Sequence, residues 1–451
     1  MTLPRSLAAL LAAALVTRRV LEWRQMRRSR RLDFAPLAQQ AALGGAAALR
    51  PRVVCVVPMF METALAAETT RFWHDVARRH LVDQVLLVTT AKENVDEPST
   101  HDLIDAELGR LLAADPSGVG APIALVRCER VTRYRASQLN LAVEQARTHT
   151  ARHAGETSTM WVGVYNADSR PVQSTFDELR ARIHAEPGIR LFQQLVDYVV
   201  PERGRTGLVA HGNAMLQTWW THSHYAGRNA RGRSGDTTWS RTAPYSTFGH
   251  GEFARLDFLD DIGGFPDFAY ADGLLLGWIC RLMGEPIGLL ASRDLAEVPR
   301  SARDLMLQQS AWLRGLLNFD ATVRWCRARG LLRLPRHETQ LLRLQHLAIP
   351  AGWGLSTLAV AAGVAIAAAS LARRGQAPQS AAYDLAVLAG LVSYPVIPAL
   401  VTDHAHRQRC YSLGRRALAT ATSWPVEGLA FWPALWTHLM GEQRAPAKTP
   451  R

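Results

Sequence analysis

The sequence predicts a mostly parallel α/β domain held between apolar segments at both ends of the chain. Three observations carry this: four short β-rich runs separated by stretches of helical periodicity, a basic stretch directly after the first apolar segment, and a charge-free run of 25 residues near the other end. A chain of 451 residues has room for one large domain or two or three ordinary ones. Its 48% hydrophobic content supports both a soluble core and membrane segments.

The elements follow in order. Ser6–Val16 is apolar but short for a full span, and no small-residue cleavage site follows it. Instead come Arg18, Arg19, Arg24, Arg27, Arg28, Arg30 and Arg31, which hold their side of a helix in the cytoplasm. Residues 1–31 therefore read as an uncleaved anchor with a basic flank. "RVVCVVP" (52–58), "QVLLVTT" (84–90), "PIALVR" (122–127) and "MWVGVYN" (160–166) read as buried strands, and 63–80, 103–112 and 136–147 as the helices between them. Strands alternating with helices imply right-handed crossovers and a sheet covered on both faces, with ligands at the carboxyl ends of the strands. This domain spans 50–345.

Leu347–Leu371 carries no charge over 25 residues and exceeds a hydrocarbon core of roughly 30 Å. Leu385–Val401 is a second span despite Pro395 and Pro398, and Ala417–Met440, with Pro425, Glu427, Pro433 and His438, is either a span or an interfacial helix. Residues 346–440 are thus C-terminal membrane helices and 441–451 a tail. Arg407, Arg409, Arg415 and Arg416 belong on the inner side, which places 50–345 in the cytoplasm of a cell-membrane protein.

The net charge of +13 points to anionic partners such as phosphates or lipid head groups. Only Lys92 and Lys448 are lysines, so 52 − 2 leaves 50 arginines, and their placement is more informative than their total. No nucleic-acid motif appears, and the arginines cluster beside the membrane segments; nucleic acid is not an expected partner. The five cysteines are odd in number and hold no C-x-x-C pair, which argues against a disulfide framework or a zinc site.

Chemistry is concentrated in a few ordered stretches. "YNADSRP" (165–171) ends a buried strand in an amide, a carboxylate and a hydroxyl. Alone, Asp168 reads as a turn residue or helix cap. Asp272 in "YADGLLLGWICRLMG" reads alone as the cap of a helix over 273–283, and "QQSAWLRG" (308–315) as an amphipathic helix. The order of "VVPMFMET", "RASQLNLAVEQA", "VYNADSRP", "GHGEFARLDFLDDIGGFP", "YADGLLLGWICRLMG" and "EVPRSARDLMLQQSAWLRG" nevertheless resembles that of the family-2 glycosyltransferases with the GT-A fold, in their membrane-bound branch. The likeness covers about 53–325.

The resemblance implies a Rossmann-like, mostly parallel catalytic domain that moves a sugar, with inversion, from a nucleotide-sugar donor to a polysaccharide or lipid-linked acceptor among membrane lipids. It implies a divalent cation, Mg²⁺ or Mn²⁺, held at Asp168, the second acid of a D-x-D whose first place is Asn166. It makes Asp272 the catalytic base, with Ala271 where a further acid usually stands. Pro58 and Glu62 match an opening loop that touches the nucleotide, and Arg135 and Asn140 a G-K-x-x-A-L-N segment near the diphosphate. Gln308 and Trp312 match a Q-x-x-R-W helix with Ala311 in the arginine place, where Arg314 supplies a charge one turn on. After the second strand, Thr89 and Thr90 stand where the family often has an aspartate. Each of Asn166, Ala271 and Ala311 removes a charge, so a membrane-anchored binding or scaffold protein that kept the fold and lost the chemistry is the alternative.

Residues 217–248 are rich in tryptophan and arginine with one acid, Asp236, and read as a gating or lipid-acceptor loop or a plain surface insertion. His222 and His224 within it read as surface residues rather than a metal pair.

Overall fold

The computed structural model describes residues 3–30, 51–93, 98–114, 121–130, 134–152, 160–201, 206–234, 238–372, 378–401 and 412–440. Arg31, Arg407, Arg409, Asp236 and the tail 441–451 lie outside the described residues. The chain opens with helix α1 (Leu3–Arg30). β1 (Arg52–Pro58), α2 (Ala66–Arg78), β2 (Gln84–Thr90), α3 (Thr100–Ala113), β3 (Ile123–Cys128), α4 (Ala136–Arg152) and β4 (Met160–Val164) then alternate as the periodicity predicts. α3 starts where Ser99 accepts from the Asp102 amide while Asp102 reaches back to Ser99, a capping box that satisfies two end amides.

α5 (Gln173–Ala185) leads to three strands that the sequence reading did not mark: β5 (Leu191–Val199), β6 (Glu252–Arg255) and β7 (Ile287–Glu297). Among the described residues the seven strands form one sheet in the order β3-β2-β1-β4-β6-β5-β7. β6 runs antiparallel to both neighbours and the other pairings are parallel. β1 is apolar on both faces because both are covered. Val54 and Val56 join the core under α4 and the later helices, whereas Val53, Cys55 and Val57 join the core that holds Trp73, Trp161 and Phe176. Gly163 lets β6 approach β4, since a Cβ there would stand 2.7 Å from the Phe253 ring.

Residues 217–248 are mostly helical rather than a loop. α6 (Leu208–Trp220) runs through a π-type turn, Thr221–Tyr225, into α7 (Ala226–Ser234), and α8 (Thr238–Arg241) follows. His222 and His224 are buried, contrary to the surface reading: His222 Nε2 lies 2.7 Å from Asp197 and His224 Nε2 lies 3.1 Å from Glu22 of α1. The sequence hides these partners because they come from β5 and from the N-terminal helix.

α9 (Leu256–Ile262), α10 (Asp272–Met283), α11 (Ala302–Leu316) and α12 (Phe319–Ala328) complete the globular part. α13 (Arg336–Leu371) then runs for 36 residues, about 54 Å. Its first turns belong to the globular core, where Leu342 is buried and His346 packs 4.5 Å from both Trp278 and Phe319. Among the described residues α13 alone is long and apolar enough to cross a membrane by length and composition, with a mean hydropathy of 1.9 over its most apolar window.

α14 (Pro378–Val401) packs with α13 and α1 through Ala12, Leu15, Ala367 and Leu391. The segment 417–440 is divided between α15 (Leu413–Leu429) and α16 (Phe431–Leu439), of 17 and 9 residues. Each is shorter than a hydrocarbon core of roughly 30 Å, and α15 lies tightly on α6, where a Cβ on Gly212 would meet the Ala419 carbonyl at 1.9 Å.

Candidate active site

The carboxyl ends of β4 and β7 open into a cavity of about 380 Å³, walled on the far side by the start of α10 and by α11. Six of the residues singled out from sequence line it: Arg135, Asn166, Asp168, Asp272, Gln308 and Trp312. They come from four separate stretches of chain.

Asp168 is neither a helix cap nor a surface turn residue. α5 begins at Gln173 with Val172 in the cap position, and Asp168 is 8% exposed, with Oδ2 accepting the Glu297 amide of β7 at 3.1 Å. Asp272 does not cap α10 either. Ala271 holds the cap position with no side-chain bond and a left-handed backbone (φ 66°), a conformation that costs a Cβ-bearing residue about 1–2 kcal/mol. Asp272 is the first residue of the helix, and its carboxylate turns to Arg135.

Arg135 joins the two motifs. Its Nη1 donates to Asn166 Oδ1 at 2.9 Å, and its Nη2 to Asp272 Oδ2 and to the Gly249 carbonyl, both at 2.7 Å. A guanidinium has the planar fork this needs. Because the Asn166 oxygen faces Arg135, the amide in the first place of the motif serves the arginine.

Glu252 of β6 lies beneath this cluster, fully buried and in register with Val164 and Gln193. Burial first, and then the nearby Asp272 charge, push its carboxyl up to about 7. Nothing in the sequence marked it, because its neighbours arrive through a strand insertion. His250 also lines the cavity; its Nδ1 lies 2.8 Å from Asp294 Oδ2, which also accepts from Ser169 Oγ at 2.6 Å. Gln193 fixes the loop around it, donating to the His250 carbonyl and accepting the Phe248 amide.

The remaining expected residues stand elsewhere. Asn140 exchanges hydrogen bonds with the Phe265 backbone, at 2.7 and 3.0 Å, and so clamps the Gly263–Gly264 turn instead of lining the cavity. Pro58 is buried at the end of β1 beside Val88. Glu62 is buried in a loop held to the start of α3, where its amide meets Thr100 Oγ1 at 2.9 Å. Arg314 lies over the ring of Tyr270, 5.2 Å from its centroid, and Tyr270 in turn lines the cavity. Thr89 pairs with His101 at 2.8 Å. A smaller cavity continues from Gln217, Tyr225 and Trp312 to Trp220, His346 and Trp353, the last two on α13.

No family model and no curated protein matches the chain. Among solved structures it is similar to a mannosyltransferase from Pyrobaculum calidifontis, determined in complex with GDP-mannose and Mn²⁺. The match covers 98% of this chain and 100% of that one, at 17% identity and a TM-score of 0.51. The mixed α/β architecture with its mostly parallel sheet is thus one that a nucleotide-sugar glycosyltransferase also adopts.

Proposed function

We propose that the chain is a membrane-bound, inverting glycosyltransferase of the GT-A type that moves a sugar from a nucleotide-sugar donor to a glycan or lipid-linked acceptor. One observation carries the reading: Asp168, Asn166, Arg135 and Asp272, from three distant motifs, converge on a single cavity. Likeness to a mannosyltransferase, and the sheet order with one antiparallel strand at β6, support it.

Asp272 takes the proton of the acceptor hydroxyl as it attacks the anomeric carbon. Arg135 holds that carboxylate in place and offers positive charge to the diphosphate. Asp168, fixed by the Glu297 amide, is the residue that would hold Mg²⁺ or Mn²⁺. Such a cation, when bound, neutralises charge on the departing diphosphate. Among the described residues no three His, Cys, Asp or Glu side chains form a group that could hold a metal ion, so a cation here would draw much of its shell from diphosphate and water, as octahedral ions at phosphate sites do. Trp312 offers the acceptor a ring to stack on, and Gln308 a polar contact. The charge-free run of α13, rooted in the catalytic core at His346, fixes the cavity close to a membrane whose cytoplasmic side supplies the donor.

Purified protein in detergent, screened against nucleotide sugars by thermal shift with and without Mn²⁺, tests this reading. Asp168→Asn is expected to lose metal-dependent nucleotide binding, while Asp272→Asn still binds donor and transfers almost nothing. If both variants bind and turn over like the parent, the site is not catalytic.

A further inference from the structure

β7 holds both sides of the cavity's anionic end. Its Glu297 amide fixes Asp168, and three residues earlier Asp294, fully buried, binds both Ser169 Oγ and His250 Nδ1. Ser169 in turn receives the Asn166 amide at 3.3 Å and donates its own amide to the Asn166 carbonyl at 3.1 Å, so the loop carrying Asp168 and the loop carrying His250 are tied to one carboxylate. A carboxylate on Nδ1 keeps the proton there and leaves the Nε2 lone pair as the ring's acceptor. His250 and Asp168 line the same cavity. The Asn166 oxygen, meanwhile, is used by Arg135.

We propose that His250, oriented by Asp294, is the second protein ligand beside Asp168 for the divalent cation, in the place that the Asn166 amide does not fill. This rests on the glycosyltransferase reading above. One carboxylate, one neutral imidazole and diphosphate oxygens make a mixed N/O set. Imidazole suits transition ions, whereas Mg²⁺ favours an all-oxygen shell. The site is therefore one for Mn²⁺ or Co²⁺ in preference to Mg²⁺.

The test uses the full chain in detergent with Mn²⁺, alone and with GDP or UDP, and reads the metal directly. Pulsed electron paramagnetic resonance of bound Mn²⁺ is expected to show modulation from a histidine nitrogen, which changes from the ¹⁴N to the ¹⁵N pattern when the protein carries ¹⁵N-histidine. This measurement needs no variant, so it survives any folding defect. His250→Gln is expected to weaken Mn²⁺ binding about tenfold or more and to abolish the modulation, with Mg²⁺ binding changed far less; Asp294→Asn should weaken Mn²⁺ binding about tenfold. Bound Mn²⁺ without histidine modulation overturns the proposal, as does unchanged Mn²⁺ affinity in a folded His250→Gln. Calorimetry of nucleotide-sugar binding separates the two failures: donor bound without a nitrogen ligand sinks His250 alone, whereas neither donor nor Mn²⁺ bound sinks the enzyme reading too.

Discussion

Arg135 and Asp272, 137 positions apart in the chain, form an ion pair of 2.7 Å across the mouth of the cavity. The same guanidinium holds Asn166 and the Gly249 carbonyl, so one side chain sets the spacing of three elements. A lysine has one nitrogen on a flexible stem and cannot span these acceptors together. Arg135→Lys is expected to weaken donor affinity and lower turnover by about tenfold or more while the protein stays folded, checked by donor titration and a melting curve. Full activity in this variant would reduce Arg135 to a brace.

Gly273 follows Asp272, and a Cβ there would meet the Gly249 amide nitrogen at 2.2 Å. Two backbones meet at this point, so neither can yield cheaply. Gly273→Ala is expected to destabilise the fold by roughly 1–3 kcal/mol and to push Asp272 away from Arg135. Chemical denaturation together with a transfer assay checks both effects, and a variant as active and as stable as the parent would contradict the close approach.

Glu252 links the site to pH. Its carboxyl ordinarily titrates near 4.5 and in the folded protein near 7. Below about 4.5 both states hold the proton, and the full stability is present. As pH rises from there to 7 the unfolded chain ionises while the folded one resists, so stability falls, by about 3 kcal/mol at most, and then levels off. Urea unfolding across this window should show that decline, and Glu252→Gln should flatten it. An equal slope in both proteins would show that another group is responsible.

Trp312 borders both the main cavity and the smaller one that reaches Trp353 on α13. Stacking acts on the acceptor and not on the diphosphate. Trp312→Ala is therefore expected to cut transfer to acceptor severalfold more than hydrolysis of donor by water, measured side by side. Equal loss of both would mark it as a packing residue of α11.

The alternating β1–β4 half, its helices and the charge-free run within α13 were legible from the chain alone, because each rests on local period and apolar length. Local logic alone read Asp168 as a turn or cap residue and Asp272 as a helix cap; these two and Arg135 were picked out by the resemblance of their ordered motifs to those of the family-2 glycosyltransferases. Local period failed at β5 and β7, where Gln193, Gln194 and Asp197 in the one and Ser292, Arg293 and Asp294 in the other interrupt the apolar run, and at β6, which is only four residues long. Position alone could not tell that Asn140 would clamp a turn, that His222 and His224 would be buried against Asp197 and Glu22, or that Asp294 would orient His250. Those outcomes belong to the tertiary structure, because each depends on a partner some 25 to 202 residues away, brought near only when the sheet closes and α1 docks. A sequence determines which side chains are capable of an interaction, and the packed fold decides which partner each one meets.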